Sequence, residues 1–354
     1  MKAQVLYGVD DLRYEEREKP VPGEGEVLLK VLAAGICGSD IPRIFRTGAH
    51  RHPLVPGHEF SAEVAACGAG TDPALLGKRV GVFPLIPCGE CLPCRQKRFE
   101  MCRDYDYLGS RCDGAFAEFV TAPADRLILL PEQVGSEAAA MLEPLSVAAH
   151  ALRRSGFDPE AEQRVALIGL GTIGLMLVMF LREAGCRHII GVGNKAFQRE
   201  KFTELTAGIP DAAYLDAGEG NAVQKIRELS GRDGADVVFE CVGKSETYAE
   251  AIDAAAPGGY VMLIGNPASD MELKRDIYWK ILRRQLTVRG SWNSSFTGEA
   301  DDDWHYVLER IADGRIDPAG LITQRYPLAE LDKGLRLMRD KTEDYIKVMM
   351  VNRP

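Results

Sequence analysis

Residues 164–183 read RVALIGLGTIGLMLVMFLRE, and the fold turns on how this stretch is read. From Val165 to Leu181 it runs 17 residues without a charge, just short of a membrane helix, which needs about 20. Glycines at 169, 171 and 174 divide the run into a strand, a turn and a helix. Arg164–Ile168 is apolar and β-branched enough for a buried strand, and Leu175–Glu183 has the length of a helix. Between them Gly169, Leu170, Gly171, Thr172, Ile173 and Gly174 spell G-x-G-x-x-G. Alone the motif describes any glycine-rich turn. After a strand and before a helix it describes a dinucleotide site. The first glycine makes the turn, the second admits a pyrophosphate, and the third lets helix pack on strand. The anion then sits at the helix N-terminus.

Reading outward, apolar strand-like segments alternate with helix-length ones: 164–169, 188–193, 235–243, 259–265 and 286–292. That alternation predicts a parallel, doubly wound sheet buried on both faces. A dinucleotide site usually places an acid at the end of the second strand, about 20 residues on, for the ribose 2′-hydroxyl. Here HIIGV ends in Gly193, followed by Asn194 and Lys195, with Arg199 nearby. No carboxylate repels a 2′-phosphate, Gly193 leaves room, and Lys195 or Arg199 can pair with the charge. NADP(H) is therefore expected over NAD(H), unless Lys195 and Arg199 are ordinary solvated charges.

Upstream the texture differs. Residues 1–150 read as short strands and turns, with β-rich segments at 27–33, 80–83 and 116–120 and turn signals at 22–26, 67–73 and 111–114. Beyond 292 come a helix around 301–313, a strand and a helix over 323–340, and a strand at 346–351.

Within the first part, Cys88, Cys91, Cys94 and Cys102 form a C-x2-C-x2-C-x7-C run. A disulfide framework needs an oxidising compartment and usually a small domain. The bacterial iron–sulfur run places proline after its last cysteine, whereas Arg103 follows Cys102. A closed tetrahedral zinc site fits the spacing. A sparser set lies around it: Cys37-Gly38-Ser39-Asp40, Gly57-His58-Glu59, and Glu143 before Pro144. A thiolate, an imidazole and carboxylates suit a zinc site with one position open. Each also has a plainer reading: Cys37 as a small buried hydrophobe, His58 as a core histidine, Glu59 and Glu143 as surface charges.

The bulk numbers narrow the class. A chain of 354 residues suggests two domains, and 46% hydrophobic with 27% charged residues is ordinary for a globular protein. A net charge of −9 argues against broad nucleic-acid binding. Nine cysteines and an N-terminus without a signal-like apolar core point to a reducing cytoplasm and no membrane association.

Together CGSD, GHE, the four-cysteine lobe, DGAFAEF, the Glu143-Pro144 pair, GLGTIG and YPLAEL run through essentially the whole chain. The sequence resembles the zinc-containing medium-chain alcohol dehydrogenases. Within them it is most similar to the galactitol-1-phosphate 5-dehydrogenases and the sugar-alcohol dehydrogenases, notably at CGSDIPRIFRTGAHRHP, PLIPC, GSRCDGAFAEF and RGSWNSS. The resemblance implies an α/β protein with a GroES-like β-rich catalytic domain, 1–152 with 293–354, and a Rossmann domain, 153–292, the active site lying in the cleft between them. It implies two zinc ions per subunit. Cys37, His58 and Glu143 resemble catalytic zinc ligands, Glu59 an exchangeable one, and Asp40 the carboxylate that orients His58. Ser39 resembles the hydroxyl that takes the alcohol proton. Cys88, Cys91, Cys94 and Cys102 resemble the structural zinc ligands. A homodimer or homotetramer is implied, through the sheet edge near Leu286–Trp292.

The chain departs from the family where a proton-relay histidine often follows the CGSD-type motif: Ile41 and Pro42 stand there, leaving water, Glu59 or His50 as exits. Ala62 replaces a usual glycine, and the ribose-binding acid is missing. The expected reaction is hydride transfer between a secondary alcohol of a sugar alcohol, as a phosphate such as galactitol 1-phosphate, and NADP(H). Arg43, His50, Arg111 and Lys280 are the candidate phosphate contacts. The alternatives are a dehydrogenase of unphosphorylated polyols, of sorbitol or threonine dehydrogenase type, and an NADPH-dependent ketose-phosphate reductase.

Overall fold

The computed structural model describes residues 1–231, 233–267 and 269–352. The chain forms two compact units, one of Met1–Ser146 with Ser294–Pro354, the other of Val147–Asn293.

The second unit is a six-stranded, all-parallel sheet. Its strands are Arg164–Ile168, His188–Gly193, Asp211–Asp216, Ala235–Glu240, Ala255–Leu263 and Thr287–Gly290. Numbered along the chain within this sheet, their spatial order is 3-2-1-4-5-6. That is the order of a dinucleotide-binding Rossmann sheet, whose crevice opens where the order reverses, beyond the first and fourth strands. Val165, Ala166, Leu167 and Ile168 are all buried, which is why this strand reads as an unbroken apolar run. The uncharged stretch after it is the helix Thr172–Glu183, buried from Gly174 to Leu181. No helix among the described residues is long and apolar enough to cross a membrane.

Two details differ from the sequence expectation. The helix begins at Thr172, three residues before Leu175, because Gly171 already takes its N-cap position. The strand Asp211–Asp216 had no signal. It lies at the sheet edge, only Leu215 is buried, and DAAYLD lacks the apolar run of the inner strands.

The first unit is built on a seven-stranded sheet. Its long central strand, Glu26–Gly35, pairs antiparallel with Glu59–Cys67, with Phe119–Pro123 and with Lys347–Val351. The last pairing, Met349 opposite Gly35, ties the tail of the chain to its beginning. The expected strand over 116–120 starts at Phe119 instead. Residues 116–117 are held by the N-terminal strand, through Gln4 N–H donating to Phe116 O at 2.8 Å and an isolated bridge from Ala3 to Ala117. The expected helix at 301–313 spans Asp303–Ala312. Its Trp304 is fully buried against Phe83 and Phe296, with ring centroids at 5.6 and 5.8 Å, and its indole N–H donates to Ser294 Oγ at 3.1 Å.

Trp304 thus joins the returning tail to the N-terminal part of the same core. Trp304→Ala is expected to destabilise this unit by about 3–5 kcal/mol, read as a lowered midpoint in urea denaturation followed by far-UV circular dichroism.

Candidate metal centres and cofactor turn

Gly57 governs how the sparser cluster assembles. Its φ of 98° is unfavourable for any side chain, and a Cβ there would meet the Phe116 ring at 2.5 Å. Beta carbons on Gly109 or Gly114 would in turn collide with the Gly57 backbone. Three glycines therefore let two backbone segments touch, sealed by Gly114 N–H to Val55 O at 2.7 Å and Ala115 N–H to Gly57 O at 2.9 Å. This contact brings His58 and Glu59 against the turn that carries Tyr107. The His58 and Tyr107 rings meet edge-on at 5.6 Å.

Cys37 lies two residues beyond the central strand Glu26–Gly35, and Glu59 opens the neighbouring strand directly opposite Gly35. Ligand atoms of Cys37, His58 and Glu59 come within 4.8 Å of one another. Behind them Asp40 is completely buried, accepting from Cys37 N–H at 3.0 Å and from the Arg43 guanidinium, with His58 Nδ1 at 3.6 Å from Oδ1. Burial pushes Asp40 up, but the charges of His58 and Arg43 outweigh it and hold its carboxyl below the usual range. Burial alone would depress His58. The neighbouring Asp40 and Cys37 overcome it and hold its pKa well above the ordinary value. Ser39 Oγ lies 3.3 Å from Cys37 Sγ.

Glu143 stands beside this group rather than in it. It is buried, and one oxygen accepts from Tyr107 Oη at 3.0 Å. Burial pushes it up to about 7, with the His58 charge opposing and Glu59 adding to the rise. One member of the site carried no sequence signal. Lys347, at the start of the last strand, is 3% exposed, and its ammonium donates to Glu59 Oε2. A lysine between Ile346 and Val348 has nothing in its neighbourhood to mark it. Only the pairing of the tail with Glu26–Gly35 places it here.

This donor set fits a dication. Thiolate, imidazole and carboxylate converge, and His58 Nδ1 is turned toward Asp40, which leaves the other ring nitrogen for a metal. The charges also balance: a dication with Arg43 and Lys347 offsets the Cys37 thiolate and the carboxylates of Asp40, Glu59 and Glu143.

The four cysteines form a second donor set. Their sulfurs stand 3.4 Å (Cys91–Cys94), 3.5 Å (Cys88–Cys102) and 3.9 Å (Cys88–Cys94 and Cys91–Cys102) apart, and none is in a disulfide. Four sulfurs bound tetrahedrally at about 2.3 Å would lie about 3.8 Å from one another. The backbone N–H groups of Arg103 and Cys94 pull Cys91 down to about 6, while burial pushes Cys94 up to about 12 and raises Cys102.

In the other unit, Gly169 has φ 99° and Gly171 caps the helix. A Cβ on Gly174 would strike Gly169 O, so only glycine allows the helix this close to the turn. Thr172 and Ile173 form the helix's first residues. At the end of the second strand the picture changes. The space over Gly193 is taken by Gln198 Oε1, 2.9 Å from where a Cβ would lie, and by the Tyr214 ring at 3.0 Å, so Gly193 does not leave the room expected of it. Asn194 N–H donates to the same Gln198 oxygen at 3.0 Å. Arg199 stacks over Tyr214 at 4.8 Å and lies 3.4 Å from Asp216, while the Lys195 side chain is exposed.

Three of the candidate phosphate contacts have partners within their own unit. Arg43 is bonded to Asp40, and Arg111 stacks over Tyr105 at 4.5 Å. Lys280 sits in the other unit, 2.7 Å from Asp253, where Arg227 and Arg284 also converge. His50 is exposed.

Known proteins share this architecture. Residues 23–132 match the alcohol dehydrogenase GroES-like domain and residues 172–313 the zinc-binding dehydrogenase domain. Galactitol 1-phosphate 5-dehydrogenase of Escherichia coli (strain K12) is 31% identical over 303 residues, 85% of this chain and 86% of that protein. Sorbitol dehydrogenase of Bacillus subtilis (strain 168) is 28% identical over 355 residues, 99% of this chain and 97% of that one. The crystal structure of a zinc-binding dehydrogenase from Sinorhizobium meliloti 1021, bound to NADP, superposes with a TM-score of 0.88 at 29% identity, covering 99% of both chains. The fold is thus that of a two-part α/β oxidoreductase. The chain belongs to the zinc-binding alcohol dehydrogenase family, among its polyol and alcohol dehydrogenases.

Cys94 is the most enclosed of the four clustered sulfurs, at 5% exposure. Cys94→Ser is expected to release a metal ion and to destabilise the protein by more than the ~0.5–3 kcal/mol usual for a point substitution, checked by elemental analysis and thermal denaturation side by side.

Proposed function

We propose that the protein is a zinc-dependent dehydrogenase that interconverts a secondary alcohol of a sugar alcohol and the corresponding ketone, using NADP(H). The observation that carries this reading is the convergence of Cys37, His58 and Glu59, with Asp40 buried behind the histidine. Zinc held there would polarise the alcohol oxygen while a nicotinamide takes the hydride. The chain's own residues would do the rest. Asp40 holds the His58 ring by its Nδ1 side. Ser39 offers a hydroxyl beside Cys37 to carry the alcohol proton. The carboxylates of Glu59 and Glu143, each fixed by its own partner, frame the centre without collapsing onto each other. The four-cysteine lobe would hold a second zinc, closed on all sides by protein and therefore structural.

For the substrate, a polyol phosphate is the first reading, supported by the likeness to galactitol 1-phosphate 5-dehydrogenase over most of both chains. An unphosphorylated polyol is the second. It is favoured by the engagement of Arg43 with Asp40 and of Lys280 with Asp253, which gives each of these cations a carboxylate partner already. A panel of polyols and their 1-phosphates, assayed for NAD(P) reduction, separates the two. Under the first reading the phosphate exceeds its parent polyol in kcat/KM by about tenfold or more, the effect of one charge-assisted contact. Equal values would leave the second.

For the cofactor, support comes from the missing acid after Gly193, from Lys195 and Arg199 beside that turn, and from the NADP in the Sinorhizobium meliloti structure. Arg199→Ala is expected to lower kcat/KM for NADPH about tenfold, since a hydrogen bond to a charged group is worth about 1.5–3 kcal/mol, and to leave that for NADH nearly unchanged. A wild-type enzyme with the higher kcat/KM for NADH would overturn the NADP(H) assignment.

A further inference from the structure

The fourth strand of the parallel sheet ends in a carboxylate, Glu240, that is only 2% exposed. Carboxylates are almost never so enclosed unless paired. One oxygen, Oε1, accepts from three groups of the segment that follows: Val242 N–H at 2.9 Å, Gly243 N–H at 2.8 Å and the Thr247 hydroxyl at 2.7 Å. The strand thus folds its last side chain into the loop it leads to. Backbone contacts hold the rest. Cys241 N–H donates to Ile168 O at 2.9 Å, and Ile264 N–H and Gly265 N–H donate to Glu240 O at 2.9 and 3.0 Å. A Cβ on Gly265 would lie 2.0 Å from Gly243 N and 2.6 Å from Glu240 Oε2, so glycine there lets the loop after the fifth strand back the carboxylate.

The loop held in this way touches the glycine-rich turn. A Cβ on Gly169 would meet Val242 Cγ2 at 2.5 Å, so Val242 lies directly on the first glycine, between the first and fourth strands, where the strand order reverses. Gly171, which caps the helix Thr172–Glu183, has open space where a Cβ would stand, the room an anion needs at that N-terminus. Two successive N–H groups aimed at one point also make an anion site. Those of Val242 and Gly243 would be a second such site beside the first, and Glu240 fills it from within. We propose that Glu240 is a positioning residue of the cofactor site: it holds Val242 on Gly169 and reserves the N-terminus of Thr172–Glu183 for the pyrophosphate. This rests on the reading of Gly169–Gly174 as a dinucleotide turn. A loop released from Glu240 loses the acceptor for two N–H groups, and Val242 then no longer fixes the conformation of the turn beneath it.

The test titrates the full-length protein with NADPH and with NADH, followed by nucleotide fluorescence, and records a melting temperature for each variant. If neither nucleotide binds the wild type, the dinucleotide reading itself fails. If either binds, Glu240→Ala is expected to raise its Kd about tenfold, the effect of losing one charge-assisted hydrogen bond. Glu240→Gln keeps an acceptor in place and should stay within about threefold of the wild type. Val242→Ala should add less to Kd in the Glu240→Ala background than in the wild type, since both act through one contact. Ile226→Ala, in the apolar core of the same unit on the helix Ala222–Ser230, should lower the melting temperature and leave Kd unchanged, which separates positioning from stability. A folded Glu240→Ala protein with wild-type Kd overturns the proposal. So do fully additive effects of Glu240→Ala and Val242→Ala, or an equal rise in Kd for Ile226→Ala. Should Glu240→Ala fail to fold, Glu240→Asp decides, because it draws the carboxylate back by one methylene: a raised Kd supports the proposal and a wild-type Kd overturns it.

Discussion

Everything at the candidate metal centre depends on two backbones touching at Gly57. With no Cβ on Gly57, Gly109 or Gly114, the segment before the strand Glu59–Cys67 lies directly on the turn that follows Tyr107. Close-packed interiors tolerate few voids, so a methyl group here would move His58 and Glu59 relative to Tyr107 and hence to Glu143. The ligand set is thus a product of backbone packing first and side-chain chemistry second. The same logic operates at the cofactor turn, where Gly174 lets a helix approach Gly169 O. Both sites spend glycine at the point of closest approach and leave the neighbouring residues to supply function.

Much of this was legible in the sequence because it depends on short-range spacing. The strand–turn–helix at 164–183 and the four-cysteine run are local patterns, and the structure shows them as a parallel sheet with a capped helix and as sulfurs at tetrahedral separations. Cys37, His58 and Glu59 lie further apart, yet each sits at a strand end of one sheet. Their convergence follows once Gly35 is placed opposite Glu59. What could not be read is whatever depends on distant pairing. Lys347 is 288 residues from Glu59. Asp216, which draws Arg199, lies on an edge strand with almost no apolar content. Gly193 looked like empty space, and Gln198 and Tyr214 fill it from elements whose register no local pattern reports. Surface cations were the least legible, because a guanidinium or ammonium reveals nothing of its partner until the fold supplies one, as Asp40 does for Arg43 and Asp253 for Lys280.

The two donor clusters also illustrate two ways of bringing metal-binding groups together. In the cysteine lobe all four donors are alike, close in sequence and close in space, and backbone N–H groups favour the thiolate of Cys91. Such a cage is rigid and closed. The other set mixes donor types, Cys37, His58 and Glu59 at the ends of two paired strands, and the groups are restrained by different neighbours: His58 by Asp40, Glu59 by Lys347, and the nearby Glu143, on the helix Leu142–Arg154, by Tyr107.

The pairing of Glu59 with Lys347 also sets an order of events during synthesis. A growing chain that has passed residue 59 must make 288 more residues before the cation arrives. Until then the half-built sheet lacks the strand Lys347–Val351, and the carboxylate at its centre has no counterion. The sheet of the first unit can therefore be completed only after the intervening unit of residues 147–293 has emerged.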